Sequence, residues 1–348
     1  MIIHASAALL AVAALLAAVP LALGQTTQPT EAGFTNPLKV DGADPWLVYH
    51  NGYYHLTTTT ARDIQMRRAT TLNGLKTAED VVIWKDDTPG RAGDIWATEF
   101  HRLPNEDGEM RWYGYYTAAH PRDEPSHRMF ALESEGDDPM GPYTFKAQVQ
   151  TDANDEHYSI DGSPFEAGGE LYFTWCGRPS EAGQGIYIRR MTNAWTTEGD
   201  RTYLETDGFG CQWVREAPVA LKRDGKVYLI YSMCSAETPD YRLGMLVADE
   251  NDDLTDEASW TQYPEVVFSR RDELGVYGPG HNFFFKSPDG TQDWIVYHAK
   301  TTTERTFGDR VTLAQPFTWN DDGTPNFGRP VGFDEVVPEP SGTRTQAE

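Results

Sequence analysis

Basic residues are scarce in this chain. Lys and Arg total 29 against 53 Asp and Glu, giving 29 − 53 = −24 at pH 7. A surface this acidic repels phosphate backbones and anionic membranes, which sets nucleic-acid and lipid-surface roles aside and leaves uncharged partners. Cysteine is scarcer: Cys176, Cys211 and Cys234 allow one bridge at most and leave a thiol over. No two of them stand in a C-x-x-C or zinc-ligand spacing, so metal–thiolate chemistry is not expected, and a core rather than staples must hold the fold. There is no Asn-x-Ser/Thr sequon, so N-glycosylation is not expected. Long amphipathic helical patterns are missing too, and past the N-terminus no segment is apolar enough to span a bilayer.

What the chain has is aromatic residues, 12% of the total, with 10 Trp, 17 Tyr and 15 Phe. Such rings fill β-cores or offer flat faces to sugars. The N-terminus is uncharged from Ala5 to Leu23 and ends in Ala22-Leu23-Gly24, small residues at −3 and −1 before Gln25. This pattern predicts a secretory signal peptide over residues 1–24, followed by a polar linker over 25–32. The stretch is long for such a segment and has no Lys or Arg ahead of it, features shared with a membrane anchor. The small-residue site and the polar "QTTQPT" favour export, hence a secreted protein with no membrane association after cleavage.

One pattern recurs five times. "DPWLVYHNGYYHLTTT" from Asp44 runs from a Pro step through an apolar stretch and an Asn-Gly turn to an aromatic strand. "SPFEAGGELYFTW" from Ser163 and "APVALKRDGKVYLIYS" from Ala217 repeat it with Gly-Gly and Asp-Gly turns. "ATEFHRLPNEDGEMRWYGYYTAA" from Ala97 and "GHNFFFKSPDGTQDWIVYHAK" from Gly280 are versions with longer turns. Each reads as a β-hairpin. Unit starts lie roughly 55 to 65 residues apart, and further strand candidates such as "RMFALES", "GIYIRRM" and "RLGMLVAD" fall between them. Four short strands per period predict an all-β fold, a five-bladed β-propeller of four-stranded blades over residues 33–337. A two-sheet sandwich does not naturally produce a five-fold repeat. Residues 338–348 read as a flexible tail.

In a propeller the first strand of every blade lines the central channel in the same direction. The residues at their starts, Asp44, Glu99, Asp161, Glu216 and His281, should therefore gather at one mouth. Taken singly, Asp44 before Pro and Asp161 before Gly read as turn residues. Glu216 has no such excuse, because neither a cap nor a turn calls for it.

The segments "GADPWLVYHNGYYHL", "IWATEFH", "SIDGSPF", "VREAPVALKRDGKVYLIYS" and "YGPGHNFFF" resemble the five blade-start motifs of glycoside hydrolase family 43. The resemblance runs from about Gly33 to about Val337. It implies a five-bladed propeller that hydrolyses arabinose- or xylose-containing polysaccharides with inversion. It further implies Asp44 as general base, Asp161 as the carboxylate that tunes and orients the acid, and Glu216 as general acid. His281 matches a histidine near the axis that helps hold a calcium ion, often through water, and Arg310 matches a substrate-contacting arginine. Trp46, Trp96 and Glu99 are candidate substrate contacts, although either indole can equally pack between blades. Two departures concern subsite shape rather than catalysis: Trp96-Ala97-Thr98-Glu99 stands for Trp-Ala-Pro-Glu, and Glu216-Ala217-Pro218 for Glu-Gly-Pro.

The chemistry asks for these residue types on its own account. Inversion needs an acid on the leaving oxygen and a base on the opposite face, roughly 6.5–9.5 Å apart to admit a water. A free Glu titrates near 4.3, and a neighbouring carboxylate such as Asp161 would raise Glu216 by like-charge repulsion. The expectation is a monomeric exo-type α-L-arabinofuranosidase acting on plant cell-wall arabinan or arabinoxylan, with no cofactor in the chemistry. A β-xylosidase or endo-arabinanase is the nearest alternative, and a non-catalytic carbohydrate-binding propeller the alternative from another class.

Overall fold

Turn chemistry sets the hairpins. Asn51-Gly52 (φ 48° and 90°), Gly168-Gly169 (56° and 83°) and Asp224-Gly225 (50° and 77°) all adopt the paired left-handed conformations of two-residue type I′ turns. The computed structural model describes Met1, residues 33–180 and residues 183–344. In it, five four-stranded antiparallel sheets follow one another along the chain, each with its strands in sequence order. The first comprises Trp46–His50, Tyr53–Thr59, Ile64–Ala69 and Val81–Trp84. The second comprises Gly93–Pro104, Met110–His120, Asp123–Ser134 and Tyr143–Val149. The third comprises Ser159–Ala167, Glu170–Ser180, Gly183–Asn193 and Thr196–Leu204. The fourth comprises Arg215–Arg223, Lys226–Met233, Arg242–Asp249 and Thr261–Gln262. The fifth comprises Tyr277–Lys286, Asp293–Lys300, Arg310–Trp319 and Pro325–Asn326. The expected five-bladed β-propeller is the fold.

The core lies in layers between blades. Alternation along each strand turns apolar residues to both faces, so every blade packs on two neighbours. Ile186, Ile188 and Leu204 of blade three meet Val227, Leu229 and Leu246 of blade four. Trp46 and Met66 of blade one meet Phe100, Trp112 and Tyr116 of blade two. Trp46 is 1% exposed and lies among Phe100, Trp112 and Phe283, so it is a core ring and not the substrate contact entertained above.

The ring closes by segments ahead of blade one and beyond blade five. The Leu38 amide donates to Thr312 O at 2.8 Å, the Thr312 amide to Lys39 O at 2.9 Å, and the Gly42 amide to Arg310 O at 2.9 Å. Gly33–Thr35 also pairs with Val336–Pro338. The expected loose tail from residue 338 is corrected here for its first seven residues. Glu339 accepts the Leu72 and Asn73 amides at 2.8 Å each, which satisfies orphan donors at the start of the short helix Leu72–Leu75. Thr343 Oγ1 shares a 2.6 Å hydrogen bond with Tyr54 Oη. The expected signal peptide and linker, residues 1–24 and 25–32, lie outside the described residues apart from Met1.

Candidate active site

The five first strands share a register that the sequence motifs do not display. On each, one residue pairs with the end of the second strand: Trp96 with Thr117, Ile160 with Cys176, Glu216 with Ser232, Gly280 with His298. In blade one the Thr59 amide donates to Ala43 O at 3.0 Å in the same place. The next residue is left-handed in all five blades: Asp44 (φ 54°), Ala97 (42°), Asp161 (54°), Ala217 (52°) and His281 (48°). Glu216 therefore stands one position ahead of Asp44 and Asp161. The true counterpart of those aspartates in blade four is Ala217. Non-glycine residues are uncommon in this conformation, and their recurrence around one mouth marks a built site.

Asp44, Asp161, Glu216, His281 and Arg310 line one cavity of about 640 Å³. Trp96, Tyr158, Arg178, Gln184, Trp213 and Phe307 form more of its wall. Asp44, Asp161 and His281 are 8%, 6% and 8% exposed, so the groups are sunk at its floor. Trp213 and Phe307, 61% and 57% exposed, stand at its rim. Glu99 does not join them: it lies two residues past Ala97, outside the cavity wall, where its carboxylate meets His101 Nε2 at 2.8 Å. Arg215 turns away from the cavity to Val214 O and Cys211 O, as strand alternation expects.

Residues 34–325 match the family described as glycosyl hydrolases family 43. An extracellular exo-α-(1→5)-L-arabinofuranosidase of Streptomyces avermitilis is 40% identical over 88% of this chain and 65% of its own length. One of the same name from Streptomyces chartreusis is 36% identical over 79% of this chain and 85% of its own. The crystal structure of an α-L-arabinofuranosidase from Lactobacillus brevis superimposes with a TM-score of 0.78 and 37% identity, covering 87% of this chain and 98% of that one. The chain belongs to glycosyl hydrolase family 43. It spans just under two thirds of the length of the Streptomyces avermitilis protein.

The carboxyls of this family 43 site occupy contrasting surroundings. Burial alone would push Asp44 up, but the charges of Arg310 and His281 outweigh it and hold the carboxyl well below its ordinary value. Arg310 Nη1 donates to Asp44 Oδ1 at 2.8 Å, and His281 Nδ1 lies 3.2 Å from the same oxygen. Glu216 and Asp161 move the other way. Burial raises both, and His281 offsets it only in part. Each like charge opposes ionisation of the other, which favours a proton on this pair over one on Asp44. Tyr241 Oη donates to Glu216 Oε1 at 2.7 Å, and the Ala217 amide donates to Asp161 Oδ2 at 3.1 Å. Burial lowers His281, yet Asp44, Asp161 and Glu216 together raise it above its ordinary value and favour the imidazolium. His298 is pushed down to about 4 by burial and is neutral; its Nδ1 accepts the Asp44 amide at 3.2 Å.

Asp44, His281 and His298 also lie close enough to suggest a metal triad. The donor set does not fit calcium as a direct ligand shell. Calcium takes six to eight oxygens, and here two of the three groups offer nitrogen, the one carboxylate already faces a guanidinium, and one imidazole's Nδ1 accepts an amide. His281 therefore pairs with Asp44 rather than serving as a direct calcium ligand, and the contact expected for it was one through water.

Several residues in or behind the cavity wall escaped the sequence reading, with His298, Cys176 and Tyr241 buried behind it. His298 and Cys176 end second strands, at a position findable by aligning "YYTA", "TWCG", "IYSM" and "VYHA". Tyr241, Tyr158, Arg178, Trp213 and Phe307 lie at strand ends or in loops outside the repeated motif. Tyr241 reaches Glu216 because Gly280 is bare: a Cβ there would lie 2.4 Å from the Tyr241 ring. Cys211 and Cys234 form the bridge, which ties the loop carrying Trp213 to the end of the second strand of blade four.

Proposed function

We propose that this protein is a secreted, inverting glycoside hydrolase that releases terminal arabinofuranose from arabinan or arabinoxylan of plant cell walls. One observation carries the reading: Asp44 and Glu216 face one cavity in opposite electrostatic states, the first held ionised and the second held toward its protonated form. Environments that push two carboxyls apart assign the base and the acid. Glu216 gives its proton to the glycosidic oxygen as the bond to the anomeric carbon breaks. A water attacks that carbon from the opposite face and passes its proton to Asp44, leaving the sugar with inverted configuration. The oxocarbenium-like transition state asks little basicity of Asp44, so its low pKa is compatible with the role. Asp161 sits against Ala217, beside the acid, and its charge favours the protonated form of Glu216. The hydrolysis proposed uses protein groups alone.

The two Streptomyces relatives, both named as extracellular exo-acting arabinofuranosidases, support the substrate, the exo mode and the location. The test is incubation with linear arabinan, arabinoxylan and xylo-oligosaccharides, with identification of the sugars released and NMR of the nascent anomer. Arabinose released first in inverted form is expected. Xylose alone or long arabino-oligomers would transfer the reading to a xylosidase or an endo-arabinanase. Binding without turnover would make the propeller a carbohydrate-binding module.

A further inference from the structure

In four of the five blades the left-handed residue presents its amide to the second strand of the blade before it, and the partner is a side chain at one repeated position. Ala97 N donates to Thr59 Oγ1 at 2.8 Å and Asp161 N to Thr117 Oγ1 at 3.2 Å. His281 N donates to Ser232 Oγ at 2.8 Å and Asp44 N to His298 Nδ1 at 3.2 Å. Four of the five seams are thus latched in the same way, by a side chain with a good acceptor atom. The fifth differs. The repeated position in blade three is Cys176, fully buried and unbridged, and a thiol sulfur is a weak acceptor. Here the Ala217 amide turns to Asp161 Oδ2 instead, at 3.1 Å.

We infer that Cys176 is a positioning residue: by declining the Ala217 amide, it leaves that donor to orient the Asp161 carboxylate beside Glu216. A hydroxyl at this position would restore the ordinary latch and take the amide from Asp161. The thiol fills the volume a hydroxyl side chain would occupy while withholding the competing acceptor. The seam between blades three and four thereby gives up its own clasp to hold a carboxylate at the floor of the cavity. This inference rests on the hydrolase reading for its kinetic consequence, but not for its geometry.

Two substitutions separate positioning from packing. Cys176→Ser supplies the acceptor, whereas Cys176→Ala removes the sulfur without supplying one. Cys176→Thr serves as a second hydroxyl variant, since Thr59 and Thr117 already occupy this position in blades one and two. In the hydroxyl variants kcat on an arabinofuranoside should fall roughly 10- to 10²-fold, the upper figure being the cost of about 1 Å of misplacement. KM should stay within about twofold, and Cys176→Ala should stay within about twofold of wild type in both constants. Crystal structures should show the Ala217 amide on the new hydroxyl and Asp161 Oδ2 released. Equal losses in the Ala and Ser variants would overturn the inference, as would an amide still on Asp161 in the Ser or Thr structure. A wild-type protein that releases no sugar would count against the hydrolase reading alone, since the structures still decide whether the amide moves.

Discussion

Arg310 Nη1 and Asp44 Oδ1 meet at 2.8 Å although 266 residues separate them in the chain. The contact crosses the seam at which blade five closes on blade one. The proposed base is therefore held ionised by the same junction that completes the ring.

Removing that guanidinium should be visible in the pH profile. Arg310 lowers Asp44 and, through space, Glu216. With Arg310→Met both carboxyls should gain protons more readily. The acid limb, set by ionisation of Asp44, then moves to higher pH, and the alkaline limb, set by loss of the last proton from the Asp161–Glu216 pair, moves the same way. In the wild type burial raises both members of that pair, so the alkaline limb should lie above the ordinary carboxyl range. kcat/KM measured from pH 3 to 9 reads both limbs, and an unmoved acid limb would remove Arg310 from the account.

The acid and base should respond differently to the leaving group. Glu216→Gln should lower kcat about 10²- to 10⁴-fold on a natural linkage, the usual worth of general acid catalysis. On a dinitrophenyl arabinofuranoside, whose leaving group needs no proton, most of that loss should vanish. Asp44→Asn should be equally impaired on both substrates. Melting curves matching wild type would confirm that neither change acts through the fold.

Trp213 stands at the cavity rim with most of its surface exposed. An indole there suits stacking on the sugar beyond the scissile bond, on the leaving-group side, a contact on the order of the 0.5–1.5 kcal/mol of an aromatic pair. Trp213→Ala should raise KM for arabino-oligosaccharides roughly 3- to 10-fold while leaving KM for a small aryl arabinofuranoside little changed. Equal effects on both substrates would place the ring elsewhere in the binding path.

The Cys211–Cys234 bridge closes a loop with a sequence separation of 23 residues. Chain-entropy arguments give such a loop about 3 kcal/mol. Replacing both cysteines with alanine should lower Tm by roughly 5 °C or more in a domain of this size. Because the loop bears Trp213, KM for oligosaccharides should rise as well. A calorimetric scan with parallel kinetics checks both, and unchanged Tm would mean the blade core alone holds the loop.

Much was legible before any coordinates. Asn-Gly, Gly-Gly and Asp-Gly have few conformations open to them between β-forming stretches, so the hairpins and their five-fold recurrence follow from local chemistry. Recurrence implies closure, because a blade with two apolar faces needs a neighbour on each. That reasoning carried Asp44, Asp161, Glu216 and His281 to one cavity, the family resemblance added Arg310, and the structure has all five there. It failed for Trp46 and Glu99, since strand alternation could not say which face of the first strand met the channel.

Only the tertiary structure decided how the carboxyls differ. Pairing register moved Glu216 one place ahead of its apparent counterparts, and that single-residue offset leaves Ala217 to present its amide to Asp161. The states of Asp44 and Glu216 depend on what lies within a few ångströms: Arg310 and His281 for one, Tyr241 and deep burial for the other. Arg310 and His281 reach Asp44 from another blade, Tyr241 reaches Glu216 from a loop of its own blade, and electrostatic interaction falls with distance through space rather than along the chain. Residue types and their period are local properties, and the sequence carries them. Proton affinity belongs to the assembled mouth of the propeller, where five distant segments first share one dielectric environment.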